Sequence, residues 1–158
     1  MGFGWMGKIL EIDLSDKEIN EKKTSAYSEY IGGRAMAARI AWEKIPPGTD
    51  PYNPENLIII TTGPFTGTLS PTSGRTVMTS ISPRVYPKPW YTHSTLGGSF
   101  GPQLKYAGYD AIIVRGKASS PVYIEIIDND ISIKDASDIW GLDCRKTQLL
   151  LKTRVSQQ

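Results

Sequence analysis

From Lys8 to Leu14 the apolar residues Ile9, Ile12 and Leu14 recur among Lys8, Glu11 and Asp13, with one interruption at Leu10, and Ser15-Asp16-Lys17 closes the run. Period-two patterning of this kind predicts a strand followed by a turn. Glu18 to Lys23 then reads as a polar return strand, giving an N-terminal hairpin with one face in water. Ser25 or Ser28 is placed to cap a short helix that Gly32-Gly33 interrupts. Ala35 to Lys44 is rich in helix formers, and Pro46-Pro47-Gly48 stops it.

Leu57 to Ile60 is a continuous apolar run between turn-forming segments, the pattern of a strand buried on both faces. Arg75 to Ile81 is a further strand. Ser99 to Tyr106 reads as a short helix with Pro102 in its first turn and Gly108 past its end. Ala111 to Arg115 is a strand, and Val122–Ile127 and Ile131–Asp135 flank Asp128-Asn129-Asp130 as a hairpin. Asp143 to Val155 has near-helical apolar spacing. Strands and helices interleave irregularly and several strands are hairpin-connected. The expected class is therefore α+β, with antiparallel or mixed β-sheets and a few short helices, rather than a doubly wound parallel sheet.

The 158 residues, 39% hydrophobic and 22% charged, are the composition of an ordinary globular protein and suit one domain over 1–158. A net charge of +2 creates no global field that would argue for nucleic acid or an acidic membrane surface, so local clusters must carry any anion affinity. Cys144 is the only cysteine. It cannot form an internal disulfide, nor supply by itself the thiolates of a zinc site or an iron–sulfur cluster. No basic-then-apolar leader and no membrane-spanning run is visible, and the expectation is a soluble cytoplasmic protein without membrane or nucleic-acid partners.

The 15 glycines and 11 prolines gather in the middle of the chain. Gly63-Pro64-Phe65-Thr66-Gly67-Thr68-Leu69-Ser70-Pro71-Thr72-Ser73-Gly74-Arg75 combines glycines that let backbone approach a ligand, hydroxyls that donate to oxygen, and a guanidinium that can fork onto a phosphate or a planar ring. It reads either as a cradle for an anion and a ring or as an ordinary long connection. Tyr91 to Gly101 contains Gly97-Gly98 at the entry to a helix, where backbone N–H groups can receive phosphate, although such entries are also common without a ligand. His93, the sole histidine, is either a proton carrier near a site or a hydrogen-bonded loop residue. Arg84, Tyr86, Lys88 and Trp90 lie in a loop that Pro83, Pro87 and Pro89 hold extended. Trp5, Trp42, Trp90 and Trp140 are expected in core or hinge packing. Serine-elbow, Walker, G-x-G-x-x-G and H-E-x-x-H motifs are missing.

One ordered set of motifs runs through the chain: Trp5 and Gly7, Gly32-Gly33-Arg34-Ala35, Pro54-Glu55-Asn56, Gly63-Pro64-Phe65-Thr66-Gly67-Thr68, Gly74-Arg75, Gly97-Gly98-Ser99-Phe100-Gly101, Leu104 to Ala111, Gly116-Lys117-Ala118 and Asp135 to Gly141. In this the chain resembles the N-terminal domain of the tungsten-containing aldehyde ferredoxin oxidoreductases. The resemblance implies an α+β base on which a tungsten bis-pyranopterin (tungstopterin) sits, with helical domains closing over it. Aldehydes are oxidised to carboxylates there, and electrons leave through a [4Fe-4S] cluster to ferredoxin.

By the same resemblance, Arg75, flanked by Gly74 and Thr76, is the arginine between pterin and cluster. Thr95, Leu96, Gly97 and Gly98 approach the pterin phosphates, and the Thr95 carbonyl is a ligand to a bridging Mg²⁺. Where the family often has Asn-Ser-Gly-Gly this chain has Thr95-Leu96-Gly97-Gly98. The Ser82 to Ser94 loop also differs from the aldehyde oxidase pattern, and related branches reduce aromatic thioesters. The cluster cysteines are not in this chain. The expectation is a chain inactive alone, partnered by C-terminal helical domains or a separate cluster-bearing subunit, with tungsten or molybdenum as metal and a homo-oligomer as one option. The rival reading is a cofactor-free scaffold or interaction module of the same fold.

Overall fold

The computed structural model describes residues 4–84, 87–128 and 130–156. Strands β1 (Lys8–Asp13) and β2 (Glu18–Lys23) form the N-terminal hairpin, followed by two 3-10 turns, Thr24–Ala26 and Ser28–Tyr30, and helix α1 (Gly33–Lys44). Then come β3 (Ile58–Thr61), β4 (Thr76–Ser82), β5 (Trp90–Leu96), α2 (Phe100–Tyr106), β6 (Ala111–Arg115), β7 (Val122–Ile127), β8 (Asp130–Asp135) and α3 (Cys144–Ser156). A six-stranded sheet runs β2-β1-β6-β3-β4-β5, and β7-β8 is a separate ribbon. Among the described residues only the β1–β6 pair is parallel. The fold is α+β with a mixed sheet, as the irregular interleaving predicts.

Alternation along each strand divides the core in two. Ile9, Ile59, Ala111 and Ile113 face α1 and pack with its Met36, Ala37 and Ile40. Leu10, Ile12 and Ile112 face the other way, onto Leu104 of α2, Tyr109, and the ribbon residues Ile124, Ile126, Ile131 and Ile133. Each fully buried Ile or Leu contributes about 1.5–3 kcal/mol relative to exposure, which is why the two layers fix the sheet's register.

One buried ion pair locks α2 to the sheet. Lys105 Nζ lies 2.5 Å from Asp110 Oδ1, with the two side chains 2% and 0% exposed. Asp110 also accepts from the Met6 (3.0 Å) and Gly7 (2.8 Å) amides and the Thr24 hydroxyl (2.6 Å), while Lys105 donates to Gly4 O at 2.5 Å. A buried carboxylate with this many donors is fully satisfied.

Four expectations are corrected. Trp90–Leu96, read as loop, is the edge strand β5, paired with β4 along its whole length. Ile58, expected to be buried on both sides of its strand, is 46% exposed, because the β7–β8 layer covers β1 and β6 and stops short of it. Trp42, Trp90 and Trp140 are exposed rather than core, and only Trp5 packs against a core cluster. Neither Ser25 nor Ser28 makes a side-chain cap. Tyr86 and Asn129 lie outside the described residues.

Candidate functional site

The register gathers both glycine-rich segments at one end of the sheet. Thr61 lies opposite Val77, and Val77 opposite Thr95, so these three form a row across β3, β4 and β5 with their side chains on the face of α1. The first turn of α1 sits on this row. Gly33 N donates to Thr62 O at 3.0 Å, Thr61 Oγ1 donates to Gly33 O at 2.9 Å, and a Cβ on Gly33 would meet Val77 at 3.9 Å. Gly32 makes this approach possible: its φ is +73°, and a Cβ there would fall 2.5 Å from Thr62 O.

On the opposite face, Thr76 meets α2. A Cβ added to Gly101 would lie 2.4 Å from Thr76 Oγ1, 3.1 Å from Thr66 Cγ2 and 3.5 Å from Gly74 O. A Cβ on Gly74 would lie 3.7 Å from Gly98 O. The loop Gly63–Gly74 and the turn Leu96–Gly101 are thus in contact through glycines, and hydrogen bonds from Thr66 Oγ1 to Ser73 O (2.9 Å) and from Ser73 Oγ to Phe65 O (2.8 Å) brace the first loop internally.

Of the seven residues singled out from the sequence, Arg75 is exposed immediately before β4, Thr76 is fully buried at its start, and Thr95 and Leu96 end β5. Leu96 lies opposite Thr76 in the register, so all seven residues, Gly74 to Thr76 and Thr95 to Gly98, fall at one sheet end. Cβ atoms on Gly97 and Gly98 would meet nothing within 4 Å. The Thr76 hydroxyl is buried with no hydrogen-bond partner among the described residues. Open glycine turns and an exposed guanidinium with no carboxylate partner among the described residues form a donor set that fits an anionic, ring-bearing group approached by backbone, whereas the Thr76 hydroxyl is covered by Gly101 of α2. Among the described residues no group of three or more His, Cys, Asp or Glu gathers to hold a metal.

Sequence reasoning did not place Arg34 here. Its Nη1 lies 3.0 Å from His93 Nε2, and His93 sits opposite Thr79 on the α1 face, two residues before Thr95. His93 is exposed and on a strand, not in a loop. Burial pushes the Tyr91 phenol above its ordinary value, while the neighbouring Thr79 hydroxyl and the Arg34 charge pull the other way. The visible signal was the Gly32-Gly33-Arg34 motif, whose spatial address periodicity does not give. Of two clefts of about 580 and 800 Å³, the first is lined by Glu11, Lys22 and Lys44 and the second by Ile58, Met78 and Ser80 together with Thr79 and His93; neither contains any of the seven. Phe65, Leu69, Phe100 and Tyr106 are exposed beside the site, with Tyr106 Oη donating to Gly67 O at 3.2 Å.

Residues 9–158 match the family model described as the aldehyde ferredoxin oxidoreductase N-terminal domain. The chain belongs to that family. A tungsten-containing aldehyde ferredoxin oxidoreductase of Pyrococcus horikoshii is 40% identical over 158 residues, covering 99% of this chain and 26% of that protein. The aliphatic sulfonate oxidoreductase WOR-like subunit of Pyrococcus furiosus is 36% identical over 145 residues, 89% of this chain and 22% of that one. Among solved structures, the active-site complex BamBC of benzoyl coenzyme A reductase with 1,5-dienoyl-CoA superposes with a TM-score of 0.93 at 35% identity, over 99% of this chain and 24% of the matched one. The chain therefore spans about a quarter of the length of the relatives it matches. Among the described residues no helix is long and apolar enough to cross a membrane.

Proposed function

We propose that this chain is the tungstopterin-binding N-terminal domain of an oxidoreductase that oxidises aldehydes to carboxylates, acting with further domains or a separate subunit. The observation that carries this is the convergence of Gly74-Arg75-Thr76 and Thr95-Leu96-Gly97-Gly98 at one sheet end, in a chain 40% identical to a tungsten-containing aldehyde ferredoxin oxidoreductase. Arg75 holds the pterin through its planar fork. Gly97 and Gly98 would admit the cofactor's phosphates to backbone amides, and the Thr95 carbonyl would be the chain's ligand to the accompanying Mg²⁺. Tungsten, or molybdenum in its place, supplies two-electron redox chemistry when bound, with its sulfur ligands drawn from the pterin dithiolenes.

The chain's own residues bind, orient and screen. Lys105 and Asp110 fix α2 and so the Gly97–Gly101 turn against the sheet. The cluster that carries electrons to ferredoxin is ligated outside this chain, in a cytoplasmic enzyme. The relationship to benzoyl coenzyme A reductase supports a second reading, reduction of an aromatic acyl thioester on the same base domain. The test is to co-produce the chain with the domains its relatives carry and measure tungsten and pterin per chain. Arg75→Ala is expected to lose both, and Arg75→Lys to lose most of both because an ammonium lacks the fork. Retention at the parent level by Arg75→Ala would contradict the assignment.

A further inference from the structure

Arg34 is a guanidinium without an anion. Among the described residues no carboxylate stands within ion-pair distance of it or of Arg75, as is true also of Arg84 and Arg145, whereas Lys8, Lys22, Arg39, Lys44, Lys105 and Arg115 all have one. It lies in the first turn of α1, which carries no acidic residue and no side-chain cap, so its charge adds to the positive end of the helix rather than offsetting it. The partner it does have is an imidazole. A guanidinium only donates, so His93 Nε2 must accept, and the contact uses one of the five Arg34 N–H donors. The rest have no described protein acceptor.

A second observation lies beneath this pair. Thr79, opposite His93 and on the same face, is 1% exposed, and its hydroxyl neighbours the Tyr91 phenol, on which the Arg34 charge also acts. The Arg34–His93 contact lies one register row from the Thr61–Val77–Thr95 row on which α1 begins, and Arg75 is exposed immediately before β4 at the same end of the sheet. Two guanidinium groups without a carboxylate partner among the described residues therefore belong to the end of the sheet that carries Thr95. In water such an arrangement is held apart by like charge. With a multiply charged oxyanion between them it becomes favourable, because each guanidinium adds charge-assisted hydrogen bonds.

We propose that Arg34, positioned by His93, is the second guanidinium of the cradle and binds a phosphate of the ligand, a role that rests on reading the Arg75 and Thr95–Gly98 face as a cofactor site. His93 serves as the post that aims the fork toward Thr95, and it takes no part in the chemistry.

His93 is the only histidine, so its ring nitrogens give unambiguous ¹⁵N resonances in the full 158-residue chain. Titration with pyrophosphate is expected to move them saturably. Arg34→Gln, a change at an exposed position that should leave the circular dichroism spectrum intact, is expected to weaken binding at least about tenfold, since a hydrogen bond to a charged group contributes roughly 1.5–3 kcal/mol. Arg34→Lys should recover only part of it. Ring resonances that stay still in the parent chain, or undiminished binding by Arg34→Gln, overturn the proposal. Binding lost in Arg75→Gln but kept in Arg34→Gln overturns it while leaving the Arg75 assignment standing. Binding lost in Arg34→Gln but kept in Arg75→Gln supports it and contradicts the role given to Arg75. Co-produced with its partner domains, Arg34→Gln is expected to lower pterin occupancy. Full occupancy there would overturn the assignment of the phosphate to the cofactor.

Discussion

Asp110→Ala tests the anchoring of α2 most sharply. The substitution keeps the backbone carbonyl that accepts from Thr62 N and Oγ1 (3.0 and 2.8 Å), but removes a carboxylate serving four donors. Lys105 is then left as a buried cation with the Gly4 carbonyl at 2.5 Å and the Trp5 ring 5.4 Å away. Breaking a buried pair by deleting one partner costs about 3–5 kcal/mol. In a domain of this length about 2–4 °C of Tm follows each kcal/mol, so a fall of roughly 6–20 °C is expected in calorimetric or circular-dichroism melts. Most of that loss comes from the stranded charge, so adding Lys105→Met to Asp110→Ala should raise Tm above that of Asp110→Ala alone, although Lys105→Met by itself lowers it. The orphaned Met6 and Gly7 amides keep the double variant below the parent. A fall of less than about 2 °C for Asp110→Ala, or strictly additive losses in the double variant, would refute the account of this pair.

Gly101→Ala would drive a methyl to 2.4 Å from the Thr76 hydroxyl, on a short β-branched side chain with no room to withdraw, and should cost about 1–3 kcal/mol in a urea titration. Thr76→Val replaces an orphaned buried hydroxyl with a methyl; it should hold or raise the Tm of the isolated chain, and a lower Tm would show that the hydroxyl has a partner within the chain. Burial alone would raise the Glu11 carboxyl, but Lys44 (2.7 Å) and Lys22 (3.1 Å) together hold it below its ordinary value. Its contribution is therefore present above about pH 4.5 and lost as pH falls below that, so Glu11→Gln should show a shallower loss of Tm from pH 5 to pH 3 than the parent, as checked by melts across that range.

What could be read from the sequence follows from which elements bury one face. β1, β6 and α1 alternate or cluster their apolar residues because each packs on a core layer, and the β7–β8 hairpin adds unmistakable turn residues. β5 has no such signal. Trp90-Tyr91-Thr92-His93-Ser94-Thr95-Leu96 is a mostly exposed edge strand between prolines and glycines, held by its ladder to β4 rather than by burial. The seven candidate residues were nameable from motif order, but their meeting depends on long-range register, Thr76 against Leu96 and Gly74 against Gly98, which no local pattern encodes. Arg34 was invisible for the same reason, its partner lying 59 residues away on a strand edge; the Lys105–Asp110 pair is local, 5 residues apart around the end of α2, and two charged residues at that spacing carry no sign of being buried.

Gly97 offers the most direct test that this face is built to hold a cofactor. Its φ is not in the left-handed range and a Cβ there meets nothing within 4 Å, so the chain itself has no use for the missing side chain. Gly97→Val, co-produced with the partner domains and assayed for tungsten and pterin per chain, is expected to fold and assemble like the parent yet retain little of either. Parent-level tungsten and pterin in a folded Gly97→Val protein would contradict the account and favour a cofactor-free role for this domain.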